Sequence, residues 1–362
     1  MKKSFLLIAA LLTVATLGAQ TQYFRWGNTQ RQFLMYEPAG RTGAVPVMYF
    51  LHGLGDNITN CAASMNFSQL ANQWGWCILV PQALSVQGST MWNVGFGGNA
   101  DDAGFFLALL DSLQGVGKVN PDSVFFTGFS LGGFMTHKMA IEHGDRLNAC
   151  APVSGLITFA LADEVPPEPV RLLHIHGTSD DVVGWDGSSA YFGSIGISVD
   201  SIVGFWTGWN GCTSEPAIDS LPDTRSDGLR FVRYAYTGGE AEFQLIKVIG
   251  GSHNWYSDST THDIDYFDVI HKFFLGDGST LGLGTPQSPS PRFEVWPNPA
   301  SRQVHVGASH AGEVTLCDMR GAELMSTTVS DGVATLDISG LPSGAYLLSD
   351  SRGATQRLVV AR

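Results

Sequence analysis

An apolar segment that turns directly into a helical pattern constrains this chain most. Residues 123–129 can form a buried strand, and the sequence Gly-Phe-Ser-Leu-Gly occupies residues 128–132 at its end. Apolar residues at helical spacing follow along residues 134–141. So tight a turn needs small residues two positions before and after its central serine, and glycine also tolerates the strained backbone. The pattern predicts that Ser130 projects its hydroxyl above a sheet edge, beside the N-terminus of the next helix.

A Gly-x-Ser-x-Gly sequence can also arise by chance in a chain with 43 glycines, so its interpretation depends on partner residues. A serine becomes a nucleophile when a base takes its proton and an acid orients that base. The acid should follow a later strand, and Asp180 or Asp181 does so, with Asp180 preferred. Of the ten histidines, His253 alone comes directly after the final core strand, and it is the candidate base. The order Ser, Asp, His is typical of hydrolases with this turn.

The intermediate of such a reaction also needs hydrogen-bond donors for its oxyanion. The backbone N–H of Leu131 is one candidate, and the N–H of Leu54, in the turn at residues 52–55, is the second. An alternative is that the glycines of that turn only let the chain reverse. Aromatic residues near the presumed mouth are candidate substrate contacts, although they could equally belong to the core: Trp92, Trp185, Tyr191 and Trp255.

Composition excludes several classes of partner. The net charge is −13 and 15% of the residues are charged, which argues against binding to nucleic acid or to anionic membranes. Residues 1–19 combine a cationic start with a short apolar run and a small-residue end, as a signal peptide does, and no later segment could span a bilayer. An uncleaved anchor is the alternative. No Cys-x-x-Cys pair or clustered His/Cys spacing predicts a metal site, and the expected chemistry needs neither metal nor organic cofactor.

Cysteine usage leaves the redox state open. An exported chain can form disulfides. Four cysteines lie in the main domain, Cys61, Cys77, Cys150 and Cys212, and Cys317 lies beyond it. Three pairings of those four are possible and the sequence does not choose among them, while buried free thiols are a fair alternative for Cys77 and Cys150. Oligomeric state is equally open.

Strand and helix patterns alternate along residues 20–276, which predicts an α/β domain with a mainly parallel sheet and helices on both faces. The opening segments predict an antiparallel hairpin, and residues 84–99 predict a glycine-rich loop. Residues 277–291 are rich in Gly, Ser, Thr and Pro and predict a linker. Short alternating runs in residues 292–362 predict a small all-β sandwich.

The motifs of the main domain together resemble secreted esterases of the polyhydroxybutyrate-depolymerase and feruloyl-esterase group, family 1 of the carbohydrate esterases, which have the α/β-hydrolase fold. The resemblance covers about residues 45–275. It rests on these motifs: Leu51-His52-Gly53, Met91-Trp92-Asn93, Asp101-Asp102-Ala103-Gly104-Phe105-Phe106, residues 128–133, His176-Gly177-Thr178-Ser179-Asp180 and residues 250–255. It implies Ser130 as nucleophile, Asp180 as acid and His253 as base, with Asp102 structural. Leu54, where a cysteine is common, and Leu131, where a polar residue is common, depart from the family pattern.

The tail resembles a type IX secretion sorting domain of Bacteroidetes. It starts with Pro-Asn-Pro-Ala at residues 297–300 and carries Leu-Pro-Ser-Gly-Ala-Tyr at residues 341–346. The resemblance implies that secretion machinery recognises this domain, and that the chain is released or attached to the cell surface after export. A carbohydrate-binding β-sandwich is the structural alternative.

The sequence therefore predicts a secreted serine esterase acting on ester groups of plant polysaccharide, feruloyl or acetyl, by way of an acyl-enzyme. An extracellular polyester depolymerase uses the same chemistry, and the acyl group and the polymer are left open. A peptidase of the same fold is a lesser rival, and a non-catalytic carbohydrate-binding protein is the hypothesis from a different class. Because His253 must be neutral to act, activity should fall as pH drops through the range in which an ordinary histidine gains a proton, about pH 6–7.

Overall fold

The computed structural model describes residues 21–96, 98–213, 215–258, 260–276, 293–308, 312–318, 322–329, 332–350 and 355–361. The expected signal peptide and the expected linker at residues 277–291 lie outside the described residues.

Strands and helices alternate through the main part of the chain. Its strands are β1 (Thr21–Trp26), β2 (Thr29–Tyr36), β3 (Val45–Leu51), β4 (Cys77–Pro81), β5 (Leu84–Val86), β6 (Ser89–Met91), β7 (Val119–Phe129), β8 (Ala149–Val153), β9 (Arg171–Gly177), β10 (Ser188–Ser189), β11 (Gly193–Ser194), β12 (Ala217–Ser220), β13 (Arg230–Tyr236) and β14 (Phe243–Ile249). Its helices are α1 (Ile58–Ser64), α2 (Phe67–Trp74), α3 (Asp102–Gly115), α4 (Leu131–His143), α5 (Val199–Trp209) and α6 (Tyr266–Leu275), with a short 3-10 turn at Gly144–Arg146.

Ten of these strands form one sheet in the order β1-β2-β4-β3-β7-β8-β9-β14-β13-β12. The strands from β4 to β14 in that order are parallel, and the pairs at both edges are antiparallel. The mainly parallel sheet and the opening hairpin are therefore confirmed. Because β7, β9 and β14 run the same way, the segments that follow them meet at one edge of the sheet.

Helices cover both faces of this sheet, as strand β3 shows. Val47, Tyr49 and Leu51 face one core, which α3, α4 and α5 complete. Met48 and Phe50 face a second core, which α1, α2 and α6 complete. A strand buried on both faces reads as a continuous apolar run, which is why the sequence of β3 shows no alternation.

Several local expectations differ from the structure. Helices α1 and α2 were not expected; they have only 7 and 8 residues, so their periodicity is weak. Their caps were readable signals, since Asn57 and Asn66 accept hydrogen bonds from the first turns. Residues 84–99 are not only loop, because β5 and β6 form a hairpin within them. Helix α6 begins at Tyr266, with Asp265 as its N-cap.

The C-terminal segment forms two antiparallel sheets over its described residues. The strands are β15 (Phe293–Trp296), β16 (Gln303–Ala308), β17 (Gly312–Cys317), β18 (Glu323–Val329), β19 (Val333–Asp337), β20 (Gly344–Asp350) and β21 (Thr355–Val360). One sheet has the order β15-β16-β19 and the other β18-β17-β20-β21. Alternate residues such as Val304, Val306, Val314 and Leu316 are buried between them. The expected small all-β unit is confirmed.

All five cysteines are free thiols in this structure. Cys61, Cys77 and Cys150 are buried, and burial raises the pKa of the Cys77 thiol to about 12. A buried protonated thiol is a small apolar side chain and a poor nucleophile.

Among the buried histidines of the main domain, His137, His174 and His176 lie together and are neutral, and we expect them to make stability depend on pH. Burial lowers the pKa of His174 and His176, and it lowers the pKa of His137 to about 3. The unfolded chain therefore binds these protons first as pH falls below about 6.5. Stability that is fully present above that pH is lost as pH falls toward the lowered values. Each group contributes a slope of up to about 1.4 kcal/mol per pH unit.

Urea unfolding at about pH 7.5, 6 and 5 measures this slope. The variant His137→Gln removes one of the titrating groups, so its slope below about pH 6.5 should be smaller by about one proton. The matched control is His143→Gln, at the partly exposed end of α4, which should keep the wild-type slope. Equal slopes in wild type and His137→Gln would contradict the expectation.

Candidate active site

Ser130 occupies a strained turn between β7 and α4. Its φ of 56° and ψ of −123° lie in a region that side-chain-bearing residues rarely adopt. The turn is closed by hydrogen bonds, because the Ser130 carbonyl accepts from Gly133 N at 2.8 Å and Phe134 N at 3.1 Å. The two neighbouring glycines are sterically required: a Cβ on Gly128 would lie 2.5 Å from the Gly132 carbonyl oxygen. This is the expected strand–turn–helix arrangement.

Asp180 and His253 are brought together by neighbouring strands β9 and β14. Nδ1 of His253 donates to Oδ2 of Asp180 at 2.8 Å. The other carboxylate oxygen of Asp180 accepts from Val182 N at 3.0 Å and Val183 N at 2.8 Å. Asp181, the alternative acid, is an exposed residue of the same turn. The carboxylate that contacts His253 is therefore that of Asp180.

The environment of Asp180 favours its ionised form. Burial by itself raises the pKa of this carboxyl, but the hydrogen bond and charge of His253 and the backbone N–H of Val183 outweigh it, so that the pKa lies below its usual value. An ionised Asp180 holds the Nδ1–H tautomer of His253 and leaves Nε2 free to accept a proton.

Ser130 and His253 line one cavity of about 460 Å³. Leu54 and Leu131, which carry the expected oxyanion donors, line the same cavity. Among the described residues neither of their backbone N–H groups has an acceptor, as a donor awaiting an oxyanion requires. Asp180 lies behind His253 and is almost completely buried, at 6% exposed.

His52 holds the turn that carries Leu54. A carbonyl only accepts, so Nδ1 of His52 donates to the Gly53 carbonyl at 2.8 Å, while Nε2 accepts from Ala83 N at 3.1 Å. In a trans peptide the N–H lies opposite the C=O, so this bond turns the Leu54 N–H away from His52. Trp92 Nε1 donates to the His52 carbonyl at 2.8 Å and holds the turn from a second side.

Trp92, expected near the cavity mouth, does not line the cavity. It is fully buried in the core beside Phe106, because its indole fills the space under the turn that it bonds. Trp255 is likewise packed against Phe50 and Phe267 and is not a lining residue. Trp185 is partly buried, donates to Asp200 and also lies outside the lining. These three placements correct the expected substrate contacts.

Other aromatic side chains take that place. Phe96, Phe129 and Phe134 line the cavity, and the hairpin of β10 and β11 adds Tyr191 and Phe192 at its turn. Tyr191 is 70% exposed and Phe192 is 46% exposed. Tyr191 was among the aromatic residues expected near the mouth, whereas Phe192 was missed. Glycines at 187 and 193, both with positive φ, were the readable signal for this hairpin.

A buried ion pair supports the glycine-rich segment next to the site. Arg31 Nη2 donates to Asp102 Oδ1 at 2.6 Å, and Asn93 N donates to the other oxygen at 2.8 Å. Asp102 is thus placed as a structural residue, in agreement with the resemblance. Within the described residues, no group of three or more His, Cys, Asp or Glu side chains could hold a metal ion. No helix of the described residues is long and apolar enough to cross a membrane.

Comparison with known proteins places this geometry in context. Residues 294–361 match the secretion system C-terminal sorting domain. The chain is 25% identical over 237 residues to feruloyl esterase B of Piromyces equi, covering 62% of this chain and 42% of that protein. It is 27% identical over 165 residues to poly(3-hydroxyalkanoate) depolymerase C of Paucimonas lemoignei, covering 43% of this chain and 40% of that one. The chain thus spans less than half the length of these two relatives.

A solved structure extends the comparison to the fold. The acetyl xylan esterase from Aspergillus awamori superposes with a TM-score of 0.52 and 16% identity, covering 71% of this chain and 99% of that one. At this identity the likeness concerns the fold alone. The chain therefore combines a domain of α/β-hydrolase fold, similar in sequence to feruloyl esterases and a polyhydroxyalkanoate depolymerase, with a C-terminal domain of the secretion sorting family.

Proposed function

We propose that this protein is an exported serine esterase that hydrolyses carboxylic esters on plant polysaccharide, feruloyl or acetyl, with Ser130, Asp180 and His253 as its catalytic residues. The observation that carries the proposal is the Asp180–His253 hydrogen bond of 2.8 Å, behind a cavity that both His253 and Ser130 line. Similarity to feruloyl esterase B supports the same activity.

In the proposed mechanism His253 Nε2 takes the hydroxyl proton of Ser130 as its Oγ attacks the ester carbonyl. The backbone N–H groups of Leu54 and Leu131 stabilise the oxyanion that forms. The tetrahedral intermediate then collapses, and His253 returns the proton to the leaving alcohol. Water attacks the acyl-enzyme with the same base and releases the acid. Asp180 stabilises the imidazolium at both steps.

The polymer is the second part of the proposal. Among the described residues that line the cavity, Asp56 carries a carboxyl and His253 an imidazole, and most of the others are apolar. The exposed rings of Tyr191 and Phe192 at the mouth also suit an apolar polymer, so a polyester depolymerase is the second candidate, with support from the depolymerase relative. The sorting domain supports export by secretion machinery of type IX, with release or surface attachment.

Two measurements test the proposal. A fluorophosphonate probe should label the purified chain at Ser130, as peptide mapping would show; absence of labelling would favour a binding protein without chemistry. Release of acid should then be measured from methyl ferulate, acetylated xylan and a poly(3-hydroxybutyrate) film. Release from the first two supports action on polysaccharide esters, while clearing of the film alone would replace that proposal with the depolymerase.

A further inference from the structure

Four buried aromatic side chains behind the site have no part in the mechanism above. They are Trp206 of α5, His137 of α4, and His174 and His176 of β9, and all four are fully buried. We call them the histidine chain. His174 and His176 point to the same face of β9, with ring centroids 5.4 Å apart and planes 17° from parallel. Burying three imidazoles in one core costs free energy unless each is neutral and hydrogen-bonded. Their presence therefore calls for an explanation.

Hydrogen-bond donors and acceptors settle the tautomers of two of these rings. An indole N–H can only donate, so Trp206 Nε1, 3.3 Å from His137 Nδ1, requires an unprotonated Nδ1 there. A neutral His137 then carries its proton on Nε2 and donates to His174 Nδ1 at 3.2 Å. His174 must in turn carry its own proton on Nε2. The hydrogen bonds of the histidine chain are therefore donated in one direction, from Trp206 of α5 to His137 of α4 and from His137 to His174 of β9.

His176 is fixed from the other end. Its Nε2 lies 2.8 Å from the Val183 carbonyl, which can only accept, so the proton of a neutral His176 is on Nε2 and its Nδ1 is bare. His174 Nε2 and His176 Nδ1 are both buried and have no hydrogen-bond partner among the described residues. One is a donor and the other an acceptor, on adjacent rings. These two nitrogens of the histidine chain could therefore complement each other as donor and acceptor.

The turn that His176 bonds is the one that carries Asp180. Val183 accepts from His176 with its carbonyl and donates to Asp180 Oδ1 with its N–H at 2.8 Å. The same Nε2 of His176 lies 3.7 Å from Asp180 Oδ2, which is the oxygen that binds His253. This distance is too long for a hydrogen bond. One imidazole N–H therefore faces both the turn and its carboxylate.

We propose that His176, packed against His174, is a positioning residue for Asp180. As a neutral imidazole with its proton on Nε2, it fixes the turn at residues 180–183 and so keeps the carboxylate against His253. The proposal rests on the proposed function, since it assigns His176 a part in orienting that base. Burial against His174 and the ring of Trp185 disfavours a charged His176 and outweighs the attraction of the Asp180 carboxylate, so that the pKa of His176 is lowered. Lys247 lies beyond the ring of Trp185, 4.8 Å from its centre. The charges that face it are those of Asp180 and His253.

Nitrogen NMR tests the tautomers without any substrate. Two-bond proton–nitrogen correlations on the labelled full chain distinguish Nε2–H from Nδ1–H and neutral from charged rings. At about pH 7, where an ordinary histidine is mostly neutral, His137, His174 and His176 should all be neutral Nε2–H tautomers. An Nδ1–H tautomer or a charged ring at His176 overturns the proposal, whatever the enzyme does. This readout also separates it from failure of the proposed function, which a wild-type chain inactive on every ester would show.

Variants then measure the effect on the reaction with a small soluble ester. His176→Gln places an amide N–H near the position of Nε2 and should keep kcat within about threefold, whereas His176→Asn, one carbon shorter, and His176→Leu should lower kcat about 100-fold, the size expected for a displaced catalytic group. KM should change less than kcat because the substrate does not touch His176, whose turn contributes only Val182 and Val183 to the cavity wall. The acid midpoint of the pH–kcat profile should move to lower pH in the Asn and Leu variants, since a displaced Asp180 stabilises a protonated His253 less.

The matched control removes a packed imidazole elsewhere. His271 of α6 stacks on Trp74 with centroids 4.2 Å apart, and His271→Leu should leave kcat and the pH profile unchanged even if stability falls. Should His176→Leu fail to fold, the comparison of Gln with Asn decides, because both are polar amides. Equal losses in those two variants, or an unmoved pH profile in His176→Asn, would reduce His176 to a packing residue.

Discussion

Replacing Ser130 by Ala should lower ester hydrolysis by about 10⁴- to 10⁶-fold while the protein stays folded, because the acyl-enzyme cannot form without its oxygen. Among the described residues, the Ser130 hydroxyl neither donates nor accepts a hydrogen bond, so its loss leaves no buried group unpaired. The measurement is kcat/KM on the best soluble ester from the substrate panel, with the melting temperature taken on the same samples.

The structure offers a matched control for that variant. Ser154 follows β8 at the same edge of the sheet and also has a positive φ, of 46°, but it does not line the cavity. Ser154→Ala should therefore keep activity within about an order of magnitude, since it removes no reacting group. An active Ser130→Ala variant would refute the assignment of the nucleophile, and with it the proposed mechanism.

Replacing Gly132 by Ala should destabilise the main domain by about 3–5 kcal/mol, a large fraction of the free energy of unfolding of a typical domain. A Cβ there would overlap the Leu51 carbonyl oxygen, and it would lie 2.5 Å from Leu51 C and 2.9 Å from the His52 carbonyl oxygen. All three are backbone atoms at the end of β3, which cannot move without breaking the pairing of β3 with β7. Helix α4 must therefore shift away from the sheet and from the turn that carries Leu54.

Urea unfolding of Gly132→Ala measures this cost, and Gly115→Ala is its control. Gly115 ends α3, and a Cβ on it would meet no atom within 4 Å, so its replacement should leave stability unchanged or raise it by up to about 1 kcal/mol. If Gly132→Ala unfolded at the wild-type urea concentration, the close approach of α4 to β3 would not be the reason for this glycine.

Part of the site can be predicted from residues that are neighbours in the sequence. The turn around Ser130 is recognisable because the glycines, the apolar strand and the helical pattern are neighbours in the chain. The order Ser130, Asp180, His253 is readable for a related reason: each residue directly follows a strand pattern, and parallel strands end at one edge of a sheet. These requirements act within a few residues, so the amino-acid order expresses them.

Burial, in contrast, depends on what packs from elsewhere. Trp92 has the sequence context of a loop residue, yet it lies in the core because Phe106 of α3 and the His52 turn enclose it. Phe192 has a similar loop context and is half exposed at the cavity mouth. Nothing within either segment distinguishes the two, since the enclosing atoms come from remote parts of the chain.

The sequence alone determined the α/β order, the strained serine turn, the candidate base and the sorting domain, because each rests on residues close together in the chain. Only the tertiary structure decided between Asp180 and Asp181, since the choice depends on which carboxylate reaches Nδ1 of His253 from a strand 73 residues away. It alone also revealed the histidine chain. Those contacts join α4, α5 and β9, and a hydrogen bond between distant elements leaves no periodic trace in the sequence.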